Sequence, residues 1–371
     1  MLGDITPRDF LRDYWHKKPL IIRKAFPGFT GLMTPSELIE LSLSEDAQSR
    51  LVTFDKEKWS LKEGPFEKRH FKKLPKSWTL LVQGVNHHLA SGGRLLKEFD
   101  FVPHARLDDL MVSYAPDGGG VGPHYDSYDV FLLQGMGKRR WQISSSADRT
   151  LVPDAPLRIL SSFEPEEEWV LESGDMLYLP PKYAHNGIAV GDSMTYSIGF
   201  RAPSNIELAR EFLVYLQDHI EMEGMYEDPD LALQDHPAEI GESMLEKVSE
   251  VLLRIRWGKS DVERFLGIYL SEPKPHLFFD PPDRPISEKR FVEAMGKRGV
   301  RLDPKSQMLF TQDHLFINGE ALSFVGLDEE YLKSFADARS SPAASTDPET
   351  MSLLYQWYRD GYIEIGEEGD D

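Results

Sequence analysis

The sequence predicts an α+β protein in which an antiparallel β-sandwich or barrel is preceded and followed by helical segments. Two observations carry this. Between Leu107 and Phe200, short β-rich runs alternate with Gly and Pro punctuation, the texture of a sandwich or barrel. Outside that stretch, apolar residues recur at helical spacing behind recognisable start signals. The length of 371 residues exceeds what one core normally serves and suits two or three domains. With 40% hydrophobic and 28% charged residues, the chain has the composition of a globular protein.

Taken in order, a helix opens at Thr6-Pro7-Arg8-Asp9, with proline at a first-turn position. An extended apolar stretch follows at residues 19–23. Thr34-Pro35-Ser36-Glu37 is a second helix start of capping-box form, with the acid three residues after the threonine. Strands are expected at residues 110–114, 128–134, 140–143, 169–171, 176–179 and 194–200. After Arg201-Ala-Pro-Ser the pattern turns helical, at 205–222, 244–257 and 262–270. The Pro-rich residues 272–285 read as a stiff linker. Beyond it come a helix, a hairpin-like piece carrying the turn signal Asn318-Gly319, and a last helix around 351–358. This is a small α+β module of winged-helix type. The acidic tail 364–371 is expected to fray.

The chain has no cysteine, which excludes disulfides, zinc–thiolate sites, iron–sulfur clusters and cysteine nucleophiles, and a reducing cytoplasm fits. No apolar run reaches the ~18 residues of a membrane-spanning helix, and the first residues lack the apolar core of a secretory signal. The net charge of −20, from 62 acids and 42 bases, disfavours bulk attraction to a phosphate backbone. It serves solubility, or it answers a basic macromolecular partner.

The chemistry concentrates where the glycine-rich run Gly118-Gly-Gly-Val-Gly-Pro enters a strand at His124-Tyr125-Asp126. Alternate residues of a strand share a face, so His124 and Asp126 present an imidazole and a carboxylate to one point while Tyr125 turns away. One more nitrogen completes a two-His-one-carboxylate facial triad, the open-sided arrangement of non-haem iron(II). His219-Ile-Glu221 has the same spacing, but it lies in an expected helix, where such residues diverge. His185 is the leading third ligand, because Leu171 to Gly187 reads as turn, strand, proline-stiffened bend and returning strand. His87, His88, His104, His276 and His314 compete on spacing alone. Lys138-Arg139-Arg140 offers cations for a carboxylate, and strand alternation puts Arg139 on the side of Trp141, with Lys138 and Arg140 opposite. Tyr125 and Tyr128 are candidates to line a substrate cleft, or simply to pack.

Together these residues resemble the JmjC family of non-haem iron oxygenases, and most closely its bacterial ribosomal-oxygenase branch, the ribosomal protein arginine hydroxylases. The resemblance rests on residues 107–113, on 118–131 with His124 and Asp126, on Gln134 to Trp141, on Gly174-Asp-Met-Leu-Tyr-Leu-Pro-Pro, and on Tyr196 to Pro203. Tyr14-Trp-His-Lys-Lys-Pro-Leu and His236-Pro-Ala extend it more weakly through most of the chain.

The resemblance implies iron(II) held by His124, Asp126 and His185, with 2-oxoglutarate held by Arg139 near Ser113, and O2 as the oxidant. It implies a double-stranded β-helix (a cupin-like jelly roll) within a JmjC domain over 1–204. A helical dimerisation region over 205–272 and a winged-helix module over 283–371 would follow. The implied reaction hydroxylates an arginine side chain of large-subunit ribosomal protein sixteen. The expected partners are that basic protein and a second copy of the chain, without direct nucleic-acid or membrane contact. Acidity would then steer encounter with a basic substrate. Two readings compete: histidine hydroxylation or lysine demethylation on another protein, and a non-catalytic cupin-like scaffold. A complete triad plus Arg139 argues against the scaffold.

Overall fold

The computed structural model describes residues 1–146 and 148–366. The chain divides into two compact units, one made of residues 1–202 with 275–278, the other of the remainder.

The first unit runs α1 (Pro7–Asp13), β1 (Leu20–Ile22), α2 (Pro35–Leu41), β2 (Ser49–Asp55), β3 (Lys58–Glu63), β4 (Ser77–Val82) and α3 (Ala90–Lys97). Eight strands follow: β5 (Leu107–Ala115), β6 (His124–Tyr125), β7 (Val130–Gln134), β8 (Lys138–Ser144), β9 (Glu167–Leu171), β10 (Met176–Leu179), β11 (Ala184–Val190) and β12 (Ser193–Phe200). They form two antiparallel sheets. One has eight strands in the order β1-β10-β7-β12-β5-β4-β2-β3, and the other has four in the order β6-β11-β8-β9. Strands β5 to β12 therefore wind as a double-stranded β-helix, and the larger sheet is extended at both edges by the amino-terminal strands.

Strand alternation explains how the layers pack. On β7, Val130 and Leu132 point between the sheets and meet Trp141, Ile143, Leu171, Leu177 and Leu179. Phe131 and Leu133 point the other way, into a core shared with Phe10, Leu38 and Phe99 from the helical lead-in. A strand covered on both faces must be apolar throughout, and every residue of β7 is buried.

Some local signals hold and others give way. Thr34 and Glu37 make the expected reciprocal capping box. The hairpin β2–β3 and strand β4 were not expected from the sequence. Helix α3 begins at Ala90: Gly92 lies against the backbone of Asn86, and the turn that follows buries Leu95 and Leu96.

The second unit comprises α4 (Asn205–His219), α5 (Glu242–Leu252), α6 (Lys259–Ser271), α7 (Glu288–Arg298), β13 (Val300–Leu302), β14 (Met308–Phe310), β15 (His314–Ile317), β16 (Glu320–Ser323), α8 (Glu329–Ala338), β17 (Ser340–Ser341), α9 (Pro348–Asp360) and β18 (Ile363–Ile365). Phe291, Leu315, Leu332, Phe335, Leu354 and Trp357 centre its core. Asn318-Gly319 is the two-residue turn between β15 and β16. Of the acidic tail, Glu364 is not frayed, since β18 pairs with β13 and its carboxylate meets Arg301 at 2.9 Å. Residues 367–371 lie outside the described residues.

Candidate metal centre

Strand β6 is two residues long and pairs with β11 so that His124 stands opposite His185. Directly opposed residues of an antiparallel pair share a face, and here the two imidazole centroids are 4.2 Å apart. Asp126 follows β6 and brings Oδ2 to 3.6 Å from His185 Nε2. One ligand atom from each of His124, Asp126 and His185 lies within 4.8 Å of the others. Among the described residues, no other such group of His, Cys, Asp and Glu occurs.

Both imidazoles are oriented by their own strands. His124 Nδ1–H donates to the Gly122 carbonyl at 2.9 Å, and His185 Nδ1–H donates to the Tyr183 carbonyl at 3.1 Å. A carbonyl can only accept, so each Nδ1 carries the proton and each Nε2 keeps its lone pair for a metal. Burial lowers the His185 pKa to about 4, helped by His124 and opposed by Asp126. It is therefore neutral at pH 7, the form that ligates. Two nitrogens and one oxygen, with the remaining side open, suit a divalent iron site.

The competing histidines are placed elsewhere. His104 pairs with Asp100 at 3.0 Å, His314 sits 3.6 Å from Glu263, and His276 Nδ1 is 3.1 Å from Gln48. His87 and His88 also lie outside the cluster. His219 is the last residue of α4, not mid-helix, and its Nδ1–H donates to the Tyr215 carbonyl. It is removed from contention by position rather than by helical divergence from Glu221.

On β8, Arg139 and Trp141 point inward and Lys138 outward, as alternation predicts. The Arg139 side chain is buried, and burial lowers its pKa to about 10, so it remains a cation at neutral pH. Nη2 donates to the Gly187 carbonyl at 3.1 Å, and Nη1 lies 3.5 Å from Ser113 Oγ. Nε has no partner, and no acid is within ion-pair reach among the described residues. A buried, unpaired guanidinium is costly unless an anion completes it, so this cradle fits a carboxylate-bearing ligand. Ser113, on β5, also donates to the Thr195 carbonyl at 3.5 Å.

Two further residues shape the cradle. The Trp141 ring lies 5.2 Å from the Arg139 guanidinium carbon and 5.9 Å from the His185 ring, bridging cation and ligand. Gly187 leaves the space both need: a Cβ there would come within 2.6 Å of Trp141 and 2.7 Å of Arg139 Nε. Gly187 lies two positions after His185 on the same strand face, a signal the sequence carried and the reading above did not use.

The outer face of β6 is braced. Tyr125 points away from the ligands, with the Arg149 and Arg158 guanidinium carbons 4.3 and 5.6 Å from its ring centroid. Leu160 N–H donates to the Pro123 carbonyl at 2.8 Å. Gly122, at φ +80°, admits Trp59 and Ile159 to distances no Cβ would tolerate. Tyr125 thus packs in a clasp rather than lining a cleft. Tyr128 is 38% exposed, and burial of its hydroxyl end, reinforced by Asp126 and Asp109, raises its phenol pKa.

Residues 94–208 match the JmjC domain family, and residues 254–364 match the ROXA-like winged helix family. The chain is 33% identical over 361 residues to the ribosomal protein uL16 3-hydroxylase of Escherichia coli (strain K12), covering 95% of this chain and 96% of that one. It is 35% identical over 405 aligned residues to a probable ribosomal oxygenase of Haemophilus influenzae, covering 97% and 96%. Among solved structures, the Escherichia coli ribosomal oxygenase in complex with cobalt and 2-oxoglutarate is similar, with a TM-score of 0.83, 31% identity and 98% of both chains covered.

Proposed function

Because this chain belongs to the JmjC family of ribosomal oxygenases, we propose that it is an iron(II)- and 2-oxoglutarate-dependent hydroxylase of an arginine side chain on ribosomal protein uL16. The observation that carries this is the convergence of His124, Asp126 and His185 one tryptophan away from the unpaired cation Arg139.

His124, Asp126 and His185 hold the iron. When bound, it activates O2 while 2-oxoglutarate is oxidised to succinate and carbon dioxide. Arg139 takes the distal carboxylate of 2-oxoglutarate through its fork, with Ser113 Oγ beside it. The Gly122 and Tyr183 carbonyls fix the imidazole orientations, and the burial of His185 and Arg139 keeps water from the cosubstrate end. At the other end of β5, a Cβ on Gly199 would lie 3.9 Å from Asp109 Oδ1 and 4.0 Å from the Tyr128 ring, so this glycine leaves room for both side chains. The partly exposed Tyr128 ring offers a face on which a substrate guanidinium can stack.

The oxygenase domain occupies 1–204, a helical dimerisation region 205–272 and a winged-helix module 283–371. The homodimer is supported by apolar side chains left exposed on α4 and α5, among them Leu213 (63%), Val214 (58%) and Leu252 (59%). Among the described residues no helix is long and apolar enough to cross a membrane; work in the cytoplasm is supported by the relative's ribosomal-protein substrate.

The test is incubation with iron(II), 2-oxoglutarate and purified uL16, followed by peptide mass spectrometry and succinate measurement. One added oxygen on an arginine, matched by succinate, is expected. Oxygen on a histidine, or loss of a lysine methyl from another protein, would move the chain to the neighbouring activity. No succinate with any basic protein would leave a scaffold.

A further inference from the structure

Arg139 shares the inner side of the molecule with a second guanidinium short of partners. On β2, Arg50 stands opposite Leu81 of β4, which stands opposite Ser113 of β5. Directly opposed residues share a face, so Arg50 looks to the same side of the larger sheet as the Ser113 hydroxyl of the cosubstrate cradle, two strand spacings or about 10 Å away. Its Nη2–H reaches along that face to Met111, 3.9 Å from Sδ, a weak acceptor. Its Nε is buried without a partner, and no acid lies within ion-pair reach of it among the described residues. Even Glu63, directly opposite on β3, is exposed and does not pair with it.

We infer that Arg50 holds a main-chain carbonyl of the bound substrate protein, next to the side chain that is hydroxylated. The inference deepens the hydroxylase reading and rests on it. A guanidinium with unused N–H groups is completed by an oxygen acceptor. Tyr128 locates that acceptor. Burial raises the Tyr128 phenol pKa, Asp126 and Asp109 add to this, and the Arg50 charge opposes it, so all three charged side chains stand around one hydroxyl. Asp126 belongs to the metal cluster, and Tyr128 is 38% exposed. Arg50 therefore borders the same cleft. It is partly exposed, whereas Arg139 is 3% exposed, so a protein substrate reaches it from outside.

The surrounding charges decide which acceptor it takes. Asp126, Asp109 and, on β3, Glu63 make a carboxylate an unfavourable guest, because like charges would meet in a partly desolvated cleft. A substrate guanidinium would be repelled by Arg50 itself and is left to stack on Tyr128. A peptide carbonyl is neutral, a strong acceptor, and present at every residue on either side of the reacting one. A bond from Arg50 to that carbonyl fixes the register of the substrate main chain, and so which side chain is presented to the metal centre.

The experiment uses the full chain with iron(II), 2-oxoglutarate and purified uL16. It compares Arg50→Met, which keeps an apolar stem without donors, with Arg50→Lys. Arg50→Met should raise the KM for uL16 about tenfold or more, the effect of losing a hydrogen bond from a charged donor, and KM should carry most of the fall in kcat/KM. The KM for 2-oxoglutarate and the denaturation midpoint should match those of the natural chain, since Arg139 and Ser113 are untouched. Arg50→Lys, with its charge and donors but no fork, should recover part of the loss. Anisotropy of fluorescent uL16 on the chain loaded with manganese(II) and 2-oxoglutarate should show the same loss without turnover.

Unchanged KM and unchanged uL16 affinity in Arg50→Met overturn the inference. So does a joint fall in kcat, 2-oxoglutarate affinity and denaturation midpoint, which would make Arg50 a structural residue. If the loss disappears when uL16 carries amides in place of its acidic side chains, Arg50 takes a carboxylate and the carbonyl assignment falls. A natural chain that neither binds nor hydroxylates uL16 sinks the hydroxylase reading and this inference with it. An active natural chain with an indifferent Arg50→Met sinks this inference alone.

Discussion

In the eight-stranded sheet, β7 and β10 bury every residue and β12 all but one, whereas in the four-stranded sheet β6 is two residues long and β9 leaves Glu167, Glu168 and Val170 exposed. The thick sheet is covered on its outer face by the helical lead-in and on its inner face by the thin one. Yet His124, His185 and Arg139 stand on the thin sheet, with Asp126 just beyond it. The thick sheet contributes Ser113 to the cosubstrate cradle. The difference teaches where a protein tolerates unsatisfied chemistry. A buried cation kept for an anion and a cluster of side chains kept for a metal are both costly to fold around, and they persist because apolar burial elsewhere secures the fold. The thin sheet compensates locally with a clasp of side chains around Tyr125 rather than with more strands.

The comparison can be broken by exchanging the consequences of substitution. Asp126→Ala should lower hydroxylation by more than about 100-fold, beyond the usual effect of losing an outer partner of a ligand. It should abolish stoichiometric metal binding while leaving the denaturation midpoint nearly unchanged. Phe131→Ala on β7 removes a fully buried ring and should cost about 3–5 kcal/mol in chemical denaturation. Loss of fold in the first variant and none in the second would reverse the assignment of roles to the sheets.

The smallest expected effect lies where the lead-in joins the thick sheet. Burial works to raise the Asp175 carboxyl, but N–H groups of Lys24 and Glu172 and the Arg23 guanidinium outweigh it and hold its pKa below the usual carboxylate range. A group with a depressed folded pKa stabilises the protein above its unfolded value, near 3.8, and loses that contribution as pH falls through the folded value. Asp175→Asn should therefore cost about 1–3 kcal/mol at neutral pH and flatten the acid limb of the stability curve below pH ~4. Denaturation midpoints measured across that range check both. An unchanged acid limb would show that the carboxylate does not secure β1 to the sheet.

What the sequence determined by itself is what spacing determines: His124 and Asp126 on one side of a strand, Arg139 beside Trp141, the capping box at Thr34 and the turn at Asn318-Gly319. Each is a relation among neighbours, enforced by backbone geometry within a few residues. Resemblance to a family added the expected partners of these residues. Tertiary structure decided that His185, rather than five competing histidines, stands opposite His124, and that Gly187 makes room for Arg139. It also decided that β2, β3 and β4 extend the sheet, and that Tyr125 belongs to a clasp. Those outcomes join positions tens of residues apart, and they follow from which pairing buries the most apolar surface over the whole chain, a sum that no local window contains.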